Sequence, residues 1–314
     1  MITTCRICSN SHNNKSFFAE EKMFNTKDQF EYFQCHVCGC VQIKEIPENI
    51  SDYYPDSYYS FKTRKKGTKI IDRIKNFLIR RYILDYELAN KKNIIGFLAS
   101  KRYLPRYYWL NSNYCSKESK IIDIGCGSGY LISEMSTHGF SNLRGIDPYI
   151  EKDIHYSNSV SVERKDVFQL KEKFDFIMLH HSFEHMDHPQ EIIHSLYTCL
   201  NDNGYVLIRI PIVNYAFEKY GINWFQLDAP RHFFLHTIKS MEILAEKAGF
   251  VIENILFDSN ESQFIVSEKY QQGYSLNDKI QLHDKKLINK FKKQAKQLNA
   301  SQKGDQACFY LHKK

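Results

Sequence analysis

The segment Lys120-Ile121-Ile122-Asp123-Ile124-Gly125-Cys126-Gly127-Ser128-Gly129-Tyr130 constrains this chain more than any other. Its first half is a short apolar run rich in β-branched residues, as expected of a strand buried on both faces in a parallel sheet. Its second half places glycine at every second position, then gives way to Leu131-Ile132-Ser133-Glu134-Met135, which reads as a helix start. Glycine at such a turn lets a strand bend sharply into a helix and lets a ligand approach bare backbone. The pattern is Asp-x-Gly-x-Gly-x-Gly, not the Gly-x-Gly-x-x-Gly of dinucleotide folds. A second strand, Leu143-Arg144-Gly145-Ile146-Asp147, ends in a carboxylate 22 residues past Gly125. An acid at that distance is placed to accept both hydroxyls of a ribose. A glycine-rich turn alone is usually only a tight turn; coupled to the acid, it reads as a nucleotide site.

The run from Ile122 to Gly129, together with Asp147, resembles the signature of class I S-adenosylmethionine-dependent methyltransferases. The resemblance implies an α/β, Rossmann-like, seven-stranded sheet flanked by helices, with an antiparallel strand at its end. It also implies S-adenosylmethionine lying across the C-terminal ends of the first strands. The residues it assigns to that cofactor are Asp123, Gly125, Cys126, Gly127, Gly129, Asp147, Pro148, Asp166, Val167 and His180. Within that set Asp147 meets the ribose, the Gly125 to Gly129 backbone lies near the methionyl end, and Asp166 and Val167 meet the adenine.

The 314 residues suffice for one large core, or for one core and a small appendage. The formal net charge is +7, but 43 basic and 36 acidic residues are interspersed, without the basic stripe of a nucleic-acid binder. No apolar run approaches the roughly 20 residues of a membrane span, and the N-terminus does not open like an export signal. The location expected is therefore the cytoplasm. The 22 Phe and 21 Tyr suit either a dense core or a carbohydrate-facing cleft, with core packing the commoner use.

Nine cysteines include two Cys-x-x-Cys knuckles, Cys5-Arg6-Ile7-Cys8 and Cys35-His36-Val37-Cys38, with 26 residues between them. Each knuckle aims two thiolates at one ion, and four thiolates close a tetrahedral site that has no open position. Cys5, Cys8, Cys35 and Cys38 are thus expected to hold a structural Zn2+ that serves folding. Disulfides are disfavoured by the odd count and the spacing.

Three regions are expected: a zinc-binding module at 1–60, a helical linker and substrate-cleft region at 61–115, and the methyltransferase domain at 116–314. The aromatic run 53–61 is either a flap over a substrate cleft or a linker packed between domains. From 68 to 101 apolar residues recur at helical spacing opposite Lys and Arg. That pattern suits a docking helix with a solvated charged face, and leaves peripheral membrane contact open over 62–81. Strands are expected at 120–124, 143–147, 160–164, 174–179, at 205–211 after an Asn203-Gly204 turn, and at 251–258 after a helix at 240–248. The segments 263–267 and 306–312 compete for the antiparallel seventh strand, with a polar helix at 285–298 between them.

Methyl transfer is an in-line displacement that usually requires a proton to leave the acceptor. The fourth strand ends in His180-His181-Ser182-Phe183-Glu184-His185-Met186-Asp187-His188-Pro189, dense in groups suited to that task near neutral pH. His181, Glu184 and His185 share one face if the segment begins a helix, and His232 is an alternative base. Arg231 could fork onto a substrate carboxylate or phosphate. A bland reading, in which these residues only cap and pack, stands beside the catalytic one.

The four cysteines, the run Tyr53-Tyr54-Pro55-Asp56-Ser57-Tyr58-Tyr59, the Asp123 to Gly129 motif and Glu184-His185 together resemble bacterial methyltransferases of sugar and surface-polysaccharide biosynthesis, including deoxysugar C-methyltransferases with an N-terminal zinc module. That resemblance implies a carbohydrate or other small-molecule acceptor. The runner-up is O-methylation of a small aromatic or quinone precursor, and the rival class is a degenerate, non-catalytic binding module.

Overall fold

A computed structural model describes residues 3–54, 70–78, 82–88, 94–102, 107–110, 113–157 and 160–314. Strands β1 (Lys15–Glu20), β2 (Gln29–Gln34) and β3 (Val41–Ile43) come first, then helices α1 (Ile70–Leu78), α2 (Leu84–Leu88) and α3 (Ile94–Arg102). Next are β4 (Ile121–Ile124), α4 (Tyr130–Thr137), β5 (Leu143–Ile146), β6 (Ile154–Ser157), β7 (Val160–Glu163), β8 (Phe174–His180), α5 (Pro189–Cys199) and β9 (Leu200–Pro211). The chain ends with α6 (Tyr215–Tyr220), β10 (Phe234–Leu235), α7 (Ile238–Ala248), β11 (Phe250–Phe257), α8 (Ser262–Gln271), α9 (Lys285–Ala300) and β12 (Gln306–Lys313). Most of the aromatic run (55–61) and positions 62–69 and 79–81 of the basic stretch lie outside the described residues.

Contacts divide the chain into two compact units, one comprising Met1–Pro55, His181–Ile193 and Ile208–Tyr310, the other Asp56–His180, His194–Leu207 and Leu311–Lys314. In the second unit β4 pairs in parallel with β5 and β8, and β5 pairs in parallel with β7. All four residues of β4 are buried, as are Val160 and Val162 of β7 and Phe176 through Leu179 of β8. Each apolar side chain among them contributes ~1.5–3 kcal/mol on burial. In the first unit β1, β2, β3 and β10 form an antiparallel sheet, whose pairing brings Phe234 opposite Gln42.

The larger sheet has eight strands, in the order β11-β12-β9-β8-β4-β5-β7-β6, and not the seven expected. The addition is β6, an edge strand antiparallel to β7 with no buried residue to mark it in the sequence. The competition for the antiparallel strand resolves to β12. Ile212 N–H donates to Asp305 O at one end of β9, while the Tyr205 ring meets His312 toward the other. Those partners run in opposite senses.

The expected strand at 263–267 is instead part of helix α8. Gln263, Phe264, Ser267 and Tyr270 are buried at helical spacing, so tertiary packing overrides the local β-branched run. The Asn203-Gly204 pair makes no turn either, for β9 runs straight through it. Gly204 serves close approach, since a Cβ there would lie 2.8 Å from Asp175 O. On α1 the apolar residues Ile70, Ile71, Ile74 and Phe77 are all exposed, so the described residues do not cover this apolar face. No helix among the described residues is long and apolar enough to cross a membrane.

His236 is fully buried, with its ring stacked 5.4 Å from Phe183 and 6.0 Å from Phe234. Its Nδ1 meets Ser240 Oγ at 3.2 Å, and that hydroxyl donates to Thr237 O, so the imidazole is the donor. Burial pushes its pKa down to about 3, with Glu184 pulling weakly the other way. The unfolded histidine titrates near 6.5, so below that pH the unfolded chain binds the extra proton. The stability is therefore complete above pH 6.5 and falls as the pH drops, by ~1.4 kcal/mol per unit. Denaturant unfolding of wild type should lose about 2 kcal/mol more between pH 6.5 and pH 5 than unfolding of His236→Phe. Parallel pH dependences would refute this account.

Candidate functional site

In the second unit the parallel strands align their C-terminal ends, where a ligand of an open α/β sheet lies. Gly125, Gly127 and Gly129 all adopt left-handed backbone, with φ of +71°, +55° and +71°. A side chain on Gly129 would be both strained and blocked, because its Cβ would sit 2.3 Å from Val162 Cγ2. Gly145 of β5 gives room to Cys126, whose Sγ would lie 2.6 Å from a Cβ at that position.

The turn is tied to Asp147. Gly127 N–H donates to its Oδ2 at 2.8 Å, Tyr149 N–H donates to its Oδ1 at 2.9 Å, and Gly125 N–H reaches Ile146 O at 2.8 Å. Burial raises the Asp147 carboxyl against the pull of those two N–H groups. Asp123 is pushed well above the usual carboxylate range by burial and by the neighbouring Asp147. No side chain caps the first turn of α4, which leaves its positive end for an anion.

After β7, Asp166 is exposed and caps a short turn by accepting the Phe168 N–H at 2.9 Å, while Val167 is buried. Pro148 is exposed beside Asp147. His180 ends β8, its ring centroid 4.4 Å from that of the buried Trp109. The structure thus gathers all ten residues expected at the cofactor onto the ends of four strands. The sequence reading missed Trp109, whose 71-residue separation from His180 leaves no local signal.

In the first unit the histidine segment does not begin an α-helix. Phe183–His185 form a single 3-10 turn, and His181 precedes it with φ of +52°, a conformation uncommon outside glycine. The four expected residues nevertheless converge. His181 Nδ1 lies 3.4 Å from Glu184 Oε1, and ligand-type atoms of Glu184, His185 and His232 lie within 4.8 Å of one another. The rings of His185 and His232 meet edge to face at 4.6 Å. Glu184 is completely buried, yet no donor among the described residues hydrogen-bonds either of its oxygens.

Burial raises the Glu184 carboxyl, but His181, with help from His185 and His232, outweighs it and holds the group at about 2. Burial and the neighbouring His232 push His185 down to about 4, so that ring is neutral near pH 7.

Arg231 is not available to a substrate. Its guanidinium has no exposure and is committed to Asp228 (2.6 and 3.0 Å), Glu21 (2.8 Å) and Tyr53 O (3.3 Å). The sequence showed the charge but not the acids, one of them 210 residues away. Tyr54 was also missed as a site residue, although its aromatic run was noted; its Oη lies 3.0 Å from His185 Nδ1.

Cys5, Cys8, Cys35 and Cys38 form one cluster, with Cys5 and Cys38 sulfurs 3.6 Å apart and Cys8 and Cys35 sulfurs 3.5 Å apart. Gln42 Nε2 donates to Cys5 Sγ at 2.9 Å, and Ile7 N–H points to the same sulfur at 3.4 Å. Hydrogen bonding within the crowded Cys5–Cys38 pair lowers the Cys5 thiol to about 4 and raises that of Cys38. Gly39 (φ +73°) turns the second knuckle by donating its N–H to Cys35 O at 2.9 Å. Cys40 is buried beside the cluster but does not join it.

A parallel sheet with a glycine turn and an acid at the end of the next strand is the arrangement that binds a nucleotide-type ligand. A family model described as a methyltransferase domain matches residues 98–255, about half of the chain, and the chain belongs to that family. It is an S-adenosylmethionine-dependent methyltransferase. A ubiquinone biosynthesis O-methyltransferase of Pseudomonas fluorescens (strain SBW25) is 26% identical over 169 residues, covering 48% of this chain and 72% of that protein. A tRNA U34 carboxymethyltransferase of Sulfurimonas denitrificans is 25% identical over 199 residues, covering 57% and 64% respectively. Among solved structures, a SAM dependent methyltransferase from Archaeoglobus fulgidus overlaps 69% of this chain and 92% of its own at 19% identity, with a TM-score of 0.41.

Asp147 is the acid that the glycine turn presents, so Asp147→Ala should weaken S-adenosylmethionine binding at least tenfold in isothermal titration. A hydrogen bond to a charged group contributes ~1.5–3 kcal/mol. Unchanged affinity would sink the assignment.

Proposed function

We propose that this methyltransferase acts on a sugar, either a nucleotide sugar or a surface-polysaccharide glycan, with His181 as the leading candidate for the base that takes the acceptor's proton. The observation that carries the choice of base is the fully buried Glu184 set against His181. A buried carboxylate beside a part-exposed imidazole orients the ring and stabilises it once protonated. His185 and His232 are the alternatives, each with one ring nitrogen held by a backbone carbonyl.

For the cofactor we assign Asp147 to the ribose, the Gly125 to Gly129 backbone and the start of α4 to the methionyl end, and Asp166 with Val167 to the adenine. Asp123, Cys126, Pro148 and His180 complete the set. The residues fit such a group: a buried carboxylate with acceptor capacity beyond two N–H bonds, bare glycine backbone and an uncapped helix start. When bound, the cofactor supplies an electrophilic methyl group on a sulfonium.

A sugar hydroxyl has a pKa far above that of any histidine, so proton removal accompanies transfer and a positioned base contributes about 10²–10⁴-fold. His181→Ala or His185→Ala should lower turnover by that order, with cofactor affinity kept within about threefold. If both variants turn over at nearly the wild-type rate, the base is elsewhere, and His232 is next.

A second reading, O-methylation of a small aromatic or quinone precursor, is favoured by the ubiquinone biosynthesis enzymes among the relatives. Labelled S-adenosylmethionine offered with a panel of nucleotide sugars and a panel of phenols separates the two. Transfer to sugars alone is expected, and transfer to phenols alone would overturn the first reading.

We further assign one structural Zn2+ to Cys5, Cys8, Cys35 and Cys38. Their clustering, and the Gln42 and Ile7 donors aimed at Cys5, suit thiolate ligation. Protein loaded with Co2+ in place of zinc should show thiolate-to-cobalt charge transfer at one ion per chain. Its absence would rule the site out.

A further inference from the structure

Glu184, His185 and His232 present an arrangement that a proton-transfer role does not exhaust. His185 Nδ1 lies 2.8 Å from Arg231 O, and His232 Nδ1 lies 2.7 Å from Gln226 O. A carbonyl oxygen can only accept, so both Nδ1 atoms carry the proton and donate. In each ring Nε2 is the nitrogen that no carbonyl holds, and so the one able to offer a lone pair to an ion. Pinning one imidazole nitrogen to a carbonyl in this way orients and activates the other as a metal ligand. The third member, Glu184, is a fully buried carboxylate whose oxygens accept no hydrogen bond among the described residues. One ligand-type atom from each of the three side chains lies within 4.8 Å of the other two, in a buried setting that favours a cation among them.

Other positive groups nearby do not fill that role. Arg231 is matched by Asp228 and Glu21. His181 approaches Glu184 Oε1 only at 3.4 Å, from one side. A single proton would bridge two of the three donors and leave the third unmatched.

We propose that Glu184, His185 and His232 form a binding site for one divalent transition-metal ion, separate from the four-cysteine cluster. Two imidazoles and one carboxylate are the donor set of open sites for iron, manganese, cobalt or zinc, in which positions remain for a substrate oxygen. An acceptor hydroxyl bound there would be acidified beside His181. That last role rests on the proposed transfer to a hydroxyl, whereas the binding of the ion does not.

The test compares metal content in the full-length protein. Wild type, Glu184→Gln and His232→Gln are each incubated with Mn2+ or Co2+, desalted, and analysed for metal and for thermal melting. The wild type should retain one equivalent more than either folded variant, whatever the cysteines hold, and the Co2+ taken up should lack thiolate charge transfer. Equal metal content in wild type and a folded variant overturns the site. Should neither variant fold, failure of the wild type to retain the ion overturns it, and uptake of one equivalent without thiolate character supports it. Transfer to sugars or phenols is read in a separate assay, so a failed acceptor panel with an intact metal difference removes the acceptor reading and leaves this site standing.

Discussion

A guanidinium with no exposure must be matched where it sits, and Arg231 is matched by Asp228, three residues before it, and by Glu21, 210 residues away. Asp228 engages it through both oxygens, Glu21 binds its far nitrogen, and the Tyr53 carbonyl takes a further donor. Removing one partner from such a buried pair costs about 3–5 kcal/mol, because it strands the opposite charge. The histidine cluster inherits its geometry from this knot. Arg231 O accepts from His185, the next residue is His232, and Phe233 N–H reaches back to Glu184 O at 2.8 Å. Tyr53, tied to Arg231 through its carbonyl, carries Tyr54 to His185. Charge matching in the first unit therefore positions side chains that take no part in the matching.

The second unit depends on sterics instead. Its glycine turn closes because three residues can take left-handed backbone, and because Gly129 and Gly145 leave space for Val162 and Cys126. Once closed, the turn points the Gly127 N–H at Asp147 and leaves α4 uncapped. The same absence of side chains that permits the fold keeps the backbone open to a ligand. Here the features that shape the strand-turn-helix unit and those that would bind the cofactor coincide.

Legibility in the sequence followed that difference. The strands β4 and β8 were readable because burial on both faces demands largely apolar runs, and β5 and β7 because their apolar residues fall at the buried positions. Gly125, Gly127 and Gly129 were readable because their role is local, and so were the paired knuckles. Segment 263–267 was misread because its β-branched pair suggested a strand, whereas Gln263, Phe264, Ser267 and Tyr270 pack as one face of α8, which only its neighbours decide. Gly204 was misread as a turn because a close approach to Asp175 leaves the same signature as a tight reversal. Strand β6 has no buried residue, so no core-facing apolar pattern marks it in the sequence.

Local chemistry at short range was determined by the sequence alone: the glycine turn with its acid, the two Cys-x-x-Cys pairs, and the histidine-rich end of β8. Tertiary structure decided which charges are spent and which are left. Arg231 looked free to bind a substrate, yet its partner Glu21 lies 210 residues away, while Glu184 is buried without a hydrogen-bond donor. The reason is physical: backbone sterics act between neighbours in the chain, whereas the cost of burying a charge depends on what the fold brings within a few ångströms of it.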